Sequence, residues 1–295
     1  MKIKSIDHYL EIGSTHDDCQ DFTVSGMINQ NLAFAILSDG CSASHDLCRE
    51  VDFGARIICY AAKKQLMEQF KNVSALTGPF TDADVHGYLT KASGVAEEQR
   101  KFFGLHPNSI DATLLIMVSD GNRHNVIMYG DGAIIYRQGK EMHLNLVDFE
   151  SGAPFYPSYS LSASRMQAYQ NEFGKSDVVL HKTIIGEDGA VTKRDLKLQG
   201  SFTNFFHLQT NFSFEGDIPF VALTSDGVKS FQKPHPDYPE IIQNLDAETM
   251  LPQMFGYKNF VGQFVKRRMN VLKKEAAKIK MAHYDDVSVA AIAME

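Results

Sequence analysis

Three apolar runs in this sequence each carry an aspartate at one end. Leu32–Leu37 runs into Ser38, Asp39 and Gly40. Phe220–Leu223 runs into Thr224, Ser225, Asp226 and Gly227, and Asp285 and Asp286 stand directly before the apolar stretch Val287–Ile292. Two more acids fit the pattern: Asp21 precedes the run Phe22–Ile28, and Asp131 sits in the glycine-flanked turn Tyr129-Gly130-Asp131-Gly132. Taken singly these are turn signals; Asp131 alone reads as a hairpin turn, and Ser119-Asp120-Gly121-Asn122 reads as a plain hairpin. Gathered at one rim, such carboxylates are the donor set for hard divalent cations, Mg²⁺ or Mn²⁺. Two ions about 3.5–4 Å apart can share a carboxylate, activate a water and neutralise a phosphoryl group under in-line attack. That chemistry needs no side-chain nucleophile. The sequence offers no G-x-S-x-G elbow, C-x5-R phosphate loop or H-E-x-x-H helix, and no Walker A or dinucleotide-binding loop.

The elements that must position these acids follow from apolar patterning. Ile3–Ile12 reads as a strand, and Phe22–Ile28 and Leu32–Leu37 as a hairpin around Asn29-Gln30-Asn31, which places Asp21 and Asp39 at the same sheet edge. A helix is predicted from about Asp46 to Phe70, and a second from Asp82, as N-cap, to Phe103, where Gly104 stops it. Asp111–Val118, Asn125–Gly130, Ala133–Gln138 and Glu141–Val147 read as a meander of strands. Ser158–Gln170 reads as a short helix, and Val178–Ile184, Phe202–Phe214 and Phe220–Leu223 as further strands. Residues Gly227–Asp246 read as a short helix and a proline-broken loop, and the region 186–216 is irregular. The last helix, about Lys258–Met281, has Val261, Phe264, Val265, Met269 and Leu272 for its inner side. Lys266, Arg267, Arg268, Lys273, Lys274, Lys278 and Lys280 form a solvated outer face. Helices follow strands without βαβ alternation, so the expected class is α+β with mostly antiparallel sheets. With no repeat or linker, residues 1–295 read as a single domain.

Of 295 residues, 44% are hydrophobic, enough for a large core, and the formal charge of −7 gives no global preference for nucleic acid or anionic membrane. No apolar signal core or membrane-length run is present, so a cytoplasmic location is expected. Cys19, Cys41, Cys48 and Cys59 form no C-x-x-C pair and read as reduced, mostly buried thiols.

The order of these motifs, Gln20-Asp21, Ser38-Asp39-Gly40, a long helix, Tyr129-Gly130-Asp131-Gly132, Thr224-Ser225-Asp226-Gly227-Val228 and a final Asp285-Asp286-Val287-Ser288-Val289-Ala290 strand, resembles the PPM family, the type 2C metal-dependent serine/threonine protein phosphatases, in their bacterial form. The resemblance spans nearly the whole chain. It implies a four-layer α-β-β-α sandwich of two mostly antiparallel sheets flanked by helix pairs. By that resemblance Asp39 bridges two Mn²⁺ or Mg²⁺ ions, the Gly40 carbonyl is a further ligand, and Asp226 and Asp285 complete the first ion. Asp21 orients metal-bound waters, Asp131 with Asp226 holds a third, weaker ion, and Asp286 replaces the usual Asn. Asp111 and Thr113 match a structural strand start. Gln20 stands where the family has Glu, His16 where it has a phosphate-gripping arginine, and Cys41 where it has a histidine; His16 could serve as acid or phosphate contact. The implied function is hydrolysis of phosphoserine and phosphothreonine on a phosphorylated protein without a covalent intermediate. The alternative is a catalytically weak relative that binds a phosphoprotein or partner. A nucleic-acid binder using the last helix would show salt-sensitive binding.

Overall fold

The computed structural model describes residues 1–41, 51–173, 178–198 and 218–295. The chain opens with β1 (Ile3–Glu11), β2 (Phe22–Met27) and β3 (Ala33–Ser38), followed by helices α1 (Val51–Phe70) and α2 (Asp82–Phe103). Next come β4 (Leu114–Ser119), β5 (His124–Tyr129), β6 (Gly132–Gln138), β7 (Glu141–Phe149), helix α3 (Ala163–Phe173), β8 (Val178–Ile185) and β9 (Val191–Leu198). The last part holds β10 (Phe220–Thr224), β11 (Phe231–Pro234), β12 (Ile242–Asn244), helices α4 (Ala247–Phe255) and α5 (Phe264–Lys278), β13 (Ala282–His283) and β14 (Val287–Met294).

A four-stranded sheet runs β2-β3-β4-β5 and a seven-stranded sheet runs β1-β14-β10-β6-β7-β8-β9, with every pairing antiparallel. A small sheet, β12-β11-β13, lies beside them. Side chains alternate along a strand, and the core divides accordingly. Phe34 and Ile36 of β3 face helices α1 and α2 through Ile58, Leu66, Tyr88 and Leu89. Ala33, Ala35 and Leu37 face the other way, meeting Val221 and Leu223 of β10 and Ile292 of β14 between the sheets. On the far side Ala222 and Ala291 pack under Met250, Leu251, Val265 and Met269 of α4 and α5. Three apolar interfaces separate four layers, helix pair, sheet, sheet, helix pair. Both faces of the central strands are covered, which is why β3, β4, β5, β10 and β14 read as largely apolar runs without polar alternation.

Several local expectations change. Tyr129-Gly130-Asp131-Gly132 is no hairpin turn: β5 lies in the small central sheet and β6 in the large one, so the chain changes layer there. Gly130 at φ 90° and Gly132 at φ 128° make this corner, in backbone conformations that residues with a Cβ rarely adopt. Thr81, not Asp82, caps α2, in a reciprocal box with Asp84. The last helix starts at Phe264 instead of Lys258, because Asn259 Oδ1 takes the Val261 amide and turns the chain. Val261 is accordingly 63% exposed, while Phe264, Val265, Met269 and Leu272 are buried as read. The segment predicted as one short helix is a 3₁₀ turn, Pro157–Leu161, followed by α3. Within the irregular region, Val191–Leu198 is strand β9. The predicted helix start at Asp46, Cys48 and the predicted strand Phe202–Phe214 lie outside the described residues. Cys59 is buried, Cys19 and Cys41 are half-buried, and all three are free thiols.

Candidate metal centre

Antiparallel register brings the rim acids to one end of the sandwich. Phe22 pairs with Ser38, so Asp21 and Asp39 flank the last pair of their hairpin, as the turn between their strands requires. Thr224 at the end of β10 is paired with Val289 of β14 on one side and Ala133 of β6 on the other. Asp226, Asp285 and Asp131 therefore leave the large sheet at a common edge.

Backbone anchors fix the two sides. The Asp39 amide donates to Thr113 Oγ1 at 2.9 Å, and the Thr113 amide donates to the Asp39 carbonyl at 2.8 Å. The Gly40 amide donates to the Gln20 carbonyl at 3.2 Å, while Gly40 bridges Ala112. Asp286, 2% exposed, accepts from the Gly13 amide at 2.6 Å and from the amides of Gln20 and Asp21, tying the 13–21 loop to the start of β14. His16 fills the space between the terminal acids, with Nδ1 3.0 Å from Asp286 Oδ1 and Nε2 3.7 Å from Asp285 Oδ1.

The acids act on one another. Burial pushes the Asp39 carboxyl well above the ordinary carboxylate range, and the charges of Asp21, Asp226, Asp131 and Asp285 push it further. Burial raises Asp21 to about 7; Ser288, Ser225 and Asp39 lean against that shift, yet neither Asp21 oxygen has a partner at hydrogen-bonding geometry. Asp131 also rises to about 7, through burial and then the charge of Asp226, with Lys229 opposing. Asp285 is raised by burial and by Asp226. Asp39 is thus the common electrostatic neighbour of the other four acids.

Among the described residues no three His, Cys, Asp or Glu side chains stand ready around one point to hold an ion, so the cluster is a convergence of charge and not a formed coordination sphere. The donor set nevertheless fits hard divalent cations. It is made of carboxylate oxygens, it includes two buried, unpartnered oxygens on Asp21, and it concentrates negative charge that a 2+ ion would neutralise. All five sequence-predicted acids and His16 come together at this rim.

Cys41 does not supply a nucleophile: burial pushes its thiol up, and so do the charges of Asp111 and Asp131, while Tyr156 and Arg165 oppose. Two residues escaped the sequence reading. Arg165 grips buried Asp111 with Nη2 2.8 and 2.6 Å from its two oxygens, behind the Asp39 turn, where the Cys41 amide donates to the Asp111 carbonyl. Lys229 lies 3.3 Å from Asp226 and 3.4 Å from Asp148; burial disfavours its charge, but these carboxylates and Asp131 outweigh that and raise its pKa. The i,i+3 spacing from Asp226 was the one available signal, since side chains three apart share a side of a 3₁₀ turn.

The sequence model of the family described as protein phosphatase 2C matches residues 14–283, which takes in every acid of the rim except Asp285 and Asp286. The chain belongs to the protein phosphatase 2C family. Solved structures similar to the chain share little sequence with it. A bacterial serine phosphatase aligns at 12% identity and TM-score 0.48, over 98% of this chain and 97% of that one. Serine/threonine phosphatase Stp1 from Staphylococcus aureus gives 13% identity and TM-score 0.48, over 100% and 98%. A C. elegans sex determining protein gives 14% identity and TM-score 0.48, over 100% of this chain and 65% of that one. Among curated proteins nothing matches. Among the described residues no helix is long and apolar enough to cross a membrane.

Proposed function

We propose that this member of the protein phosphatase 2C family hydrolyses phosphoserine and phosphothreonine on phosphorylated proteins, using Mn²⁺ or Mg²⁺ held at the carboxylate rim. One observation carries the reading: acids from four other places in the chain, brought to one end of the two sheets by their strand register, share Asp39 as their electrostatic neighbour. Asp39 and the Gly40 carbonyl, from the small central sheet, and Asp226 and Asp285, from the large one, would hold two ions. Asp131 with Asp226 is the set the family resemblance gives to a further, weaker ion. When bound, such ions lower the pKa of a water and screen the phosphoryl charge.

The chain's own residues do the rest. Asp21, buried with both oxygens unpartnered, accepts hydrogen bonds from water in the site and orients it. Asp286 holds the loop that carries His16 and Asp21. His16, at the rim beside Asp285, is the group placed to pass a proton to the departing serine or threonine oxygen. The cytoplasm is the compartment expected for this substrate class.

A second reading is a catalytically weak regulator that binds a phosphoprotein. It is favoured by His16, which stands in place of an arginine and is engaged by two carboxylates. Hydrolysis of p-nitrophenyl phosphate and of a phosphothreonine peptide with added Mn²⁺ separates the two. The phosphatase reading expects chelator-sensitive turnover that falls at least about 100-fold in Asp39→Asn. No turnover by wild type, with Mn²⁺ uptake shown by calorimetry, would favour the regulator.

A further inference from the structure

Inside the carboxylate rim stands a lysine. Lys229 closes the 3₁₀ turn Asp226–Lys229 that follows β10, so its side chain folds back along the same side as Asp226. Its Nζ lies 3.3 Å from Asp226 Oδ2 and 3.4 Å from Asp148 Oδ1, the latter carried by β7. Asp131, at the corner between the sheets, feels both Asp226 and Lys229. One ammonium therefore contacts acids from two elements, β7 and the turn after β10, and adds its charge to the field at Asp131 on the corner. The side chain is 32% exposed.

A divalent ion held jointly by Asp131 and Asp226 would have to sit against that ammonium. Like charges at contact distance repel strongly in a partly buried site, and the lysine is covalently fixed where the ion is not. We propose that Lys229 is a resident counter-cation that occupies the position of an additional divalent ion between Asp131 and Asp226, limiting this rim to two ions. This rests on the two-ion phosphatase reading. Asp131 then balances the Lys229 charge from beyond contact distance and is not a metal ligand. The ammonium supplies one positive charge where a divalent ion would supply two, and the rim depends on metal supply for only two of its three cations.

Counting bound Mn²⁺ tests this without reference to turnover. The full chain is stripped with chelator, titrated with Mn²⁺, and bound ions are counted from the loss of the free Mn²⁺ electron-spin signal. Wild type and Lys229→Arg are expected to saturate at two ions. Lys229→Met and Lys229→Gln are expected to take a third, weaker ion, and adding Asp131→Asn to Lys229→Met should abolish it. Near-ultraviolet circular dichroism checks folding, and Lys229→Gln carries the count should Lys229→Met not fold. Three ions in wild type, or two in both folded Lys229 variants, overturns the role of Lys229 and leaves the two-ion reading standing. No ion in wild type sinks the two-ion reading, and this proposal with it.

Discussion

Gly227 lies so close to the start of β14 that a Cβ placed on it would stand 1.8 Å from the carbonyl oxygen of Asp286. The contact is between backbones, so no side-chain rearrangement can relieve it. It presses the turn carrying Asp226 directly onto the segment carrying Asp285 and Asp286. Gly227→Ala is therefore expected to destabilise the chain by about 1–3 kcal/mol or more and to weaken Mn²⁺ binding as the two segments are forced apart. Urea denaturation with and without Mn²⁺ measures both; an unchanged midpoint would contradict the close approach.

Asp286 is expected to matter more for architecture than for chemistry. Its carboxylate accepts from the backbone amides of Gly13, Gln20 and Asp21 and faces His16. Asp286→Ala leaves buried donors without an acceptor, costing about 1–3 kcal/mol for each amide stranded. Asp286→Asn keeps one acceptor oxygen and should lose distinctly less. Guanidinium denaturation of the pair resolves the order, and equal losses would point to another cause.

Thr113 supports Asp39 through its hydroxyl. Thr113→Val preserves shape but removes the acceptor for the Asp39 amide, at an expected cost of about 1–3 kcal/mol. Mn²⁺ affinity should fall as well, because the Asp39 backbone loses one of its two bonds to that residue. Calorimetric titration checks the affinity, and denaturant melts check the stability.

The chelated chain should be more stable in mild acid than in base. Asp21 and Asp131 are raised to about 7 and Asp39 is raised well above its ordinary value, all first by burial. A carboxyl whose folded pKa exceeds its unfolded value, near 3.9 for Asp, favours folding below the unfolded value. That contribution is lost as pH rises through the folded pKa. With a chelator present, the melting temperature should therefore drop between pH 5 and pH 8, and Asp39→Asn should shrink the drop. Added Mn²⁺ should stabilise increasingly as pH rises, because its ligands must be deprotonated. A chelated melting temperature independent of pH across this window would contradict the charge cluster.

Much of the site was legible because rim acids interrupt apolar runs, and an apolar run covered on both faces is the plainest signal a sequence carries. The hairpin placing Asp21 beside Asp39 followed from strand length alone. What was not legible depended on partners distant in the chain. Adjacency of β5 and β6 could not tell that they belong to different sheets, so Asp131 was read into a hairpin. Strand β9, with Lys193, Arg194, Asp195 and Lys197, lies at a sheet edge and is exposed, so it has no apolar signature. Helix α4 is short and contains Pro252, which argues against a helix on propensity, yet Met250, Leu251, Met254 and Phe255 bury it against the large sheet. Arg165 was invisible because Asp111, which holds it, is far away in sequence, and Lys229 showed only its spacing from Asp226, since Asp148 is also distant.

Asp21 and Asp39 ride on one central sheet, Asp226 and Asp285 on the other, and the apolar seam between them contains Leu115, Met128, Val221 and Ile292. The gap that an ion must span is thus set by how thick that seam is, well away from any charged group. Cation affinity becomes a gauge of how the two halves are seated. Trimming Met128 or wedging an oily molecule into the seam would loosen the grip on the ion while leaving every acid untouched.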